Sequence, residues 1–156
     1  MNNTNSKQPV CMVIGAGAGI GGNVAKRFAK EGFHSVLCRR SNQHGLDDLV
    51  WDIEKEGGTA SGFLINAVEP ESIEKCVDKV ENEIGHIDTL VFNLGAQVGN
   101  KSLSETTYKI FELGWRLATF SLFRTASSVL PKMEKRGKGS FLVTRSTAAF
   151  RGNAGQ

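Results

Sequence analysis

Val10-Cys11-Met12-Val13-Ile14-Gly15-Ala16-Gly17-Ala18-Gly19-Ile20-Gly21-Gly22 is the stretch whose reading decides the fold. It begins with an unbroken apolar run, as expected of a strand buried on both faces. A glycine cluster follows and leads into an amphipathic stretch, with Val24, Ala25, Phe28 and Ala29 on one side and Gly32 where the helix should stop. Strand, glycine-rich turn and helix in that order open a βαβ unit.

Working outward, the alternation continues. Apolar runs at 35–38, 60–65, 89–93 and 141–144 read as further strands. Between them lie helical patterns at 46–56, closed by Gly57-Gly58, and at 70–84, opened by Pro70. Residues 98–104 read as loop, and a long helical region covers 106–134, interrupted near Gly114 and kinked or ended at Pro131. Strands alternating with helices predict an α/β fold built on a parallel sheet. Trp51 and the phenylalanines at helical spacing read as core, and His34, His44 and His86 as surface residues in loops or turns.

Composition bounds the function. The chain has 156 residues, 40% hydrophobic and 22% charged, with a formal net charge of +3. That is one globular domain with a sizeable core. So small a charge, without a cluster of Lys and Arg, gives no footprint for nucleic acid. No apolar run is long enough to span a bilayer. Residues 1–8 are a polar tail without the apolar segment of a secretion signal, so the Asn2-Asn3-Thr4 sequon has no context for use. Cys11, Cys38 and Cys76 are widely spaced, which argues against a disulfide framework or a zinc site and fits a reducing cytoplasm.

The glycine cluster carries the first chemical signal. Glycines permit a tight turn and close approach of the backbone to a pyrophosphate, while the helix N-terminus offers unpaired N–H groups and a positive dipole end. A strand before and a helix after give the context of a dinucleotide fingerprint, with Gly15, Gly17, Ala18, Gly19, Ile20 and Gly21 as candidate contacts. The second strand runs into Cys38-Arg39-Arg40, with no Asp or Glu between Glu31 and Asp47. An acidic residue there would bind the ribose hydroxyls of NAD, whereas arginine suits the 2′-phosphate of NADP. Arg39 and Arg40 therefore read either as an NADP(H) preference or as two solvated surface residues.

These stretches resemble the short-chain dehydrogenases/reductases, and the resemblance runs from about Val10 to the end. The turn at 15–21 is similar to the family's TGxxxGxG, with Ile14 where Thr is usual. Gly85-His86-Ile87-Asp88-Thr89-Leu90-Val91 resembles its G-x-I-D-x-L-V entry to strand four, and Phe92-Asn93-Leu94-Gly95 stands where the family carries N-N-A-G. Leu130-Pro131-Lys132-Met133 matches L-P-x-M, and Gly139-Ser140 with the strand after it leads to Ser146 at the place of the family's serine.

The resemblance implies a Rossmann-like doubly wound sheet of order 3-2-1-4-5, lacking the family's last strands. Residues 1–8 would be a tail and 9–156 an NADP-binding domain incomplete at its C-terminus. It implies hydride transfer between NADP(H) and a small carbonyl or alcohol substrate by general acid–base catalysis. Ser146 is the candidate catalytic residue, or else a hydroxyl satisfying backbone at a strand end. Asn66 and Ala67 would lie beside the adenine, with Asn66 alternatively a strand-end turn residue. Asn93, Leu94 and Gly95 would be cofactor neighbours, Asn93 also positioning backbone. Two departures stand out. The relay asparagine aligns with Trp115, and the catalytic Tyr-x-x-x-Lys is absent, the only tyrosine being Tyr108 with Glu112 one turn later. Three readings follow: the cofactor-binding part of an oxidoreductase, a catalytically silent NADP(H)-binding module that docks to a related subunit, or a fragment without a stable fold. The apolar face of 106–134 is the expected surface for homo-oligomer contacts.

Overall fold

In a computed structural model, which describes residues 8–95, 101–146 and 150, the alternating pattern becomes a five-stranded parallel sheet. The strands are β1 (Val10–Ile14), β2 (His34–Arg39), β3 (Thr59–Leu64), β4 (Ile87–Phe92) and β5 (Ser140–Val143), in the spatial order β3-β2-β1-β4-β5. The order reverses between β1 and β4, the switch point at which such sheets open a crevice at the carboxyl ends of their strands. The helices are α1 (Ile20–Lys30), α2 (Gln43–Lys55), α3 (Ser72–Lys79), α4 (Tyr108–Trp115) and α5 (Ser121–Arg136).

Strand periodicity sorts the core into two layers. Cys11, Val13, Leu37 and Val91 face Ala25, Ala29, Leu46, Leu49 and Ile53 of α1 and α2. Val10, Met12, Ile14, Val36, Leu90 and Phe92 face Ile73, Val77, Val129 and Met133 of α3 and α5. β1 is buried along its whole length, as its unbroken apolar run requires. At the far edge β5 is largely uncovered, and Leu142, paired in register with Val91, is 48% exposed.

The structure corrects several boundaries. α2 begins three residues before the apolar periodicity does, because the Asn42 side chain accepts from Gly45 N at 2.9 Å and caps the helix. Pro70 does not open α3, which starts at Ser72 and passes into a π-helical turn at Val80–Ile84. Within 98–104, residues 98–100 lie outside the described residues, and Leu103–Glu105 form a 3₁₀ turn. The long helical region is not broken at Gly114. It widens into a π-helical turn at Arg116–Phe120, where Ser121 Oγ bonds the Leu117 carbonyl. Pro131 neither ends nor interrupts α5, which runs on to Arg136.

Trp51 is not core. It is 57% exposed on α2, with Lys55 Nζ over its ring at 4.6 Å, and the helical phenylalanines Phe111, Phe120 and Phe123 are exposed rather than core as well. His34 is the first residue of β2, half-buried against Ser61 Oγ at 2.9 Å, and His44 lies within α2. The polar tail lies outside the described residues except for Gln8, whose side chain bonds Gly32 O and Thr59 Oγ1, both at 3.0 Å.

Candidate functional site

A cavity of about 890 Å³ opens at the carboxyl ends of β1, β2 and β3. β1 contributes Ile14 and Gly15, β2 Cys38, Arg39 and Arg40, and the segment after β3 Ile65, Asn66 and Ala67. Leu94 and Gly95 follow β4, and Ile110, Leu113 and Leu117 close the far side. The wall is mostly apolar with a few polar groups, the usual make-up of a small-molecule pocket.

The glycine turn is held by backbone hydrogen bonds and by the Asn93 side chain, whose Nδ2 donates to Gly15 O at 3.0 Å. Gly15 N and Ala16 N both donate to Cys38 O, at 2.9 and 2.8 Å, which fastens the turn to the end of β2. Gly15 has φ +95°, and a methyl group there would meet Asn93 O at 2.7 Å. At Gly21 a methyl would collide with Gly15 O and the Asn93 amide, so α1 packs against the turn only because position 21 has no side chain. No side chain caps α1, whose N-cap is Gly19. Backbone carbonyls take part of that role, since Gly22 N donates to Gly17 O at 2.9 Å and Asn23 N to Gly19 O at 3.2 Å. Ile14 and Gly15 line the cavity; Gly17, Ala18 and Gly19 lead from there to α1, which Ile20 and Gly21 open, and these five are not part of the lining.

Arg39 ends β2 and is half-buried, and Arg40 is exposed beside it. Among the described residues neither is paired with a carboxylate, although most other basic side chains in the structure are. Two arginines without a carboxylate partner among the described residues thus line one cavity.

Asn66 lines the cavity, but its side chain also serves its own turn. Oδ1 accepts from Val68 N at 3.4 Å and Nδ2 donates to Glu69 at 3.1 Å. Ala67 is held from behind: Arg124 Nη1 donates to Ala67 O at 3.0 Å while the same guanidinium grips Glu74 in a bidentate pair at 2.8 and 2.5 Å. Asn93 stands outside the lining, spanning Gly15 O and the Thr144 hydroxyl. Ser146 lies beyond β5, exposed and outside the lining.

Two groups of wall residues are not marked by the glycine and arginine motifs. Ile110, Leu113 and Leu117 form one apolar wall, and their helical spacing is the signal that they share a face. Cys38 Sγ sits 3.8 Å from Cys76 Sγ behind the floor. That contact, with burial, pushes the Cys38 thiol well above its usual range, and burial pushes Cys11 up to about 12. Both are core thiols rather than reactive ones. Trp115, on the rim of the π-helical turn, stacks on Phe120 with ring centroids 5.3 Å apart.

Sheet order, the crevice at the switch point and the glycine turn define a doubly wound fold of the Rossmann type. A family model described as short chain dehydrogenase matches residues 9–156, and the chain belongs to this family of oxidoreductases. It is 31% identical over 140 residues to a fatty acyl-CoA reductase of Acinetobacter baylyi, covering 88% of this chain and 47% of that protein. Among solved structures it is similar to 7α-hydroxysteroid dehydrogenase complexed with NADH and 7-oxo glycochenodeoxycholic acid, at TM-score 0.86 and 30% identity, covering 99% of this chain and 60% of that one. It also resembles actinorhodin polyketide ketoreductase with NADPH, at TM-score 0.87 and 28% identity, covering 94% and 56%. The chain spans about half the length of the curated relatives it matches. The relatives' structures include both nicotinamide cofactors. Among the described residues no helix is long and apolar enough to cross a membrane.

Proposed function

We propose that this chain is the NADP(H)-binding part of a short-chain oxidoreductase acting on a small carbonyl or alcohol substrate. The observation that carries the reading is the pair Arg39 and Arg40, uncompensated on the wall of the cavity beside Gly15. A 2′-phosphate supplies the missing negative charge, and arginine binds it in charge-assisted hydrogen bonds. Gly15 and the uncapped start of α1 suit the pyrophosphate. Asn66 and Ala67 flank the adenine, and Leu94 and Gly95 border the path toward the nicotinamide end.

When bound, the nicotinamide supplies or accepts the hydride. The chain's own part is to hold and orient it and to keep water from the apolar side of the pocket. Ser146 positions the substrate oxygen. The single tyrosine, Tyr108, is 96% exposed and stands outside the cavity lining. The chain on its own is therefore expected to bind nucleotide without turning over a carbonyl. The apolar face of α4 and α5, which leaves Phe111 and Phe123 exposed, is the proposed contact between copies.

The test is a fluorescence titration of the 156-residue chain with NADPH and, in parallel, NADH. Tighter binding of NADPH, with the difference lost in Arg39→Ala/Arg40→Ala, supports the reading. Equal affinity for both removes the phosphate assignment. Steady NADPH oxidation with a carbonyl substrate by the pure chain overturns the view that it binds without turnover.

A further inference from the structure

Next to the two arginines, the first turn of α2 offers a third polar group. Asn42 Oδ1 accepts from Gly45 N at 2.9 Å, and this bond fixes which way the side-chain amide lies. A methyl group at Gly45 would stand 2.8 Å from Asn42 Nδ2 and 3.0 Å from Arg39 Nη1. An amide donor and a guanidinium donor thus converge on the space that glycine leaves at position 45. Asn42 holds φ +69°, a left-handed conformation that asparagine tolerates better than most residues. No acidic residue occupies the first turn of α2. Beyond it, Asp47 accepts from Gln43 Nε2 at 2.7 Å, and Asp48 lies 3.6 Å from His44 Nδ1.

We infer that Asn42 is a specificity-determining residue, its Nδ2 joining Arg39 and Arg40 as a third donor to the ribose 2′-phosphate, and that Gly45 is the gap that lets Asn42 and Arg39 converge. This rests on the reading that the two arginines receive that phosphate. The chemistry recognised is a phosphate monoester, so the contribution exists for NADPH and is absent for NADH.

Two substitutions test it, of which Asn42→Asp leaves the packing at position 45 untouched. Asn42→Asp keeps the helix cap, because Asp and Asn cap about equally well, but puts a carboxylate where the phosphate lies. Gly45→Ala fills the gap at a helical position that favours alanine over glycine. Each variant is titrated with NADPH and NADH, and its thermal midpoint is measured. The expected result is NADPH binding about tenfold weaker, NADH binding unchanged, and, for Asn42→Asp, a midpoint no lower than that of the parent chain. An unchanged ratio of the two affinities in both variants overturns the proposal, as does an equal loss for both nucleotides. The arginine double variant separates the two levels. If it abolishes the NADPH preference while Asn42→Asp and Gly45→Ala do not, only the role of Asn42 and Gly45 fails. If the parent chain has no NADPH preference or binds neither nucleotide, the functional reading fails and this inference with it.

Discussion

The Thr144 hydroxyl donates to Asn93 Oδ1 at 2.7 Å, and so ties the end of β5 to the glycine turn. The other end of the same amide, Nδ2, donates to Gly15 O at 3.0 Å. This side chain, just after β4, therefore links the ends of β1 and β5, and the backbone bond from Gly15 N to Cys38 O adds the end of β2. The link places Thr144, and with it the start of the segment that leads to Ser146, relative to the glycine turn.

Thr144→Val tests the link. The isostere leaves Asn93 Oδ1 without its donor in a partly buried setting, which costs about 1–3 kcal/mol. Urea denaturation should show a lower midpoint with an unchanged slope. Nucleotide affinity should fall as well, because Asn93 then no longer holds Gly15 O in place. Unchanged stability and affinity would show that the hydroxyl is dispensable.

The bidentate pair between Arg124 and Glu74 gives a pH dependence with a defined sign. Hydrogen bonding to Arg124 holds the Glu74 carboxyl below its ordinary value. A group depressed in the folded state contributes fully above its unfolded pKa and loses that contribution as pH falls through the folded value. Stability of the parent chain should therefore decline on the acid side of the usual glutamate range, and Glu74→Gln should flatten that part of the profile. Arg124→Ala should also weaken nucleotide binding, because the Arg124 guanidinium holds Ala67 O. Coincident acid profiles for parent and Glu74→Gln would refute the assignment.

Two of the three thiols, Cys11 and Cys38, should be silent in the folded protein. Cys11 is fully buried, with its pKa pushed up to about 12, and Cys38 is buried and held protonated by its contact with Cys76 and by burial. The thiolate is the reacting form. A disulfide reagent at neutral pH should modify Cys11 and Cys38 only at the rate of unfolding. Rapid labelling of either in native buffer, read by peptide mass, would contradict the packing.

The uncovered apolar face predicts self-association. Phe123 is 64% exposed on α5, and Leu142 is open on β5. Exposed apolar surface of this kind drives contact between copies. Sedimentation should show mass rising with concentration, and Phe123→Glu should shift the chain toward monomer without lowering its thermal midpoint. A monomer at all concentrations would remove α5 as a contact surface.

The sequence determined the strands, their number and their parallel arrangement, because buried parallel strands must be continuous apolar runs and helices must carry a stripe. Val10–Ile14 and the glycines after it showed where the turn lies, since only glycine tolerates what Gly15 and Gly21 require. At Arg39 and Arg40 the missing acid between Glu31 and Asp47 was legible, but whether the two are solvated or line a cavity was not. Helix boundaries were less legible, since they depend on caps and on π-helical turns such as Arg116–Phe120 rather than on periodicity. Only the tertiary structure decided which residues share the cavity. Ile110, Leu113 and Leu117 reach it from a helix far along the chain, and Asn42 approaches Arg39 because Gly45 leaves space between them. Such meetings depend on how elements cross and on volumes left empty, and neither is written in local spacing.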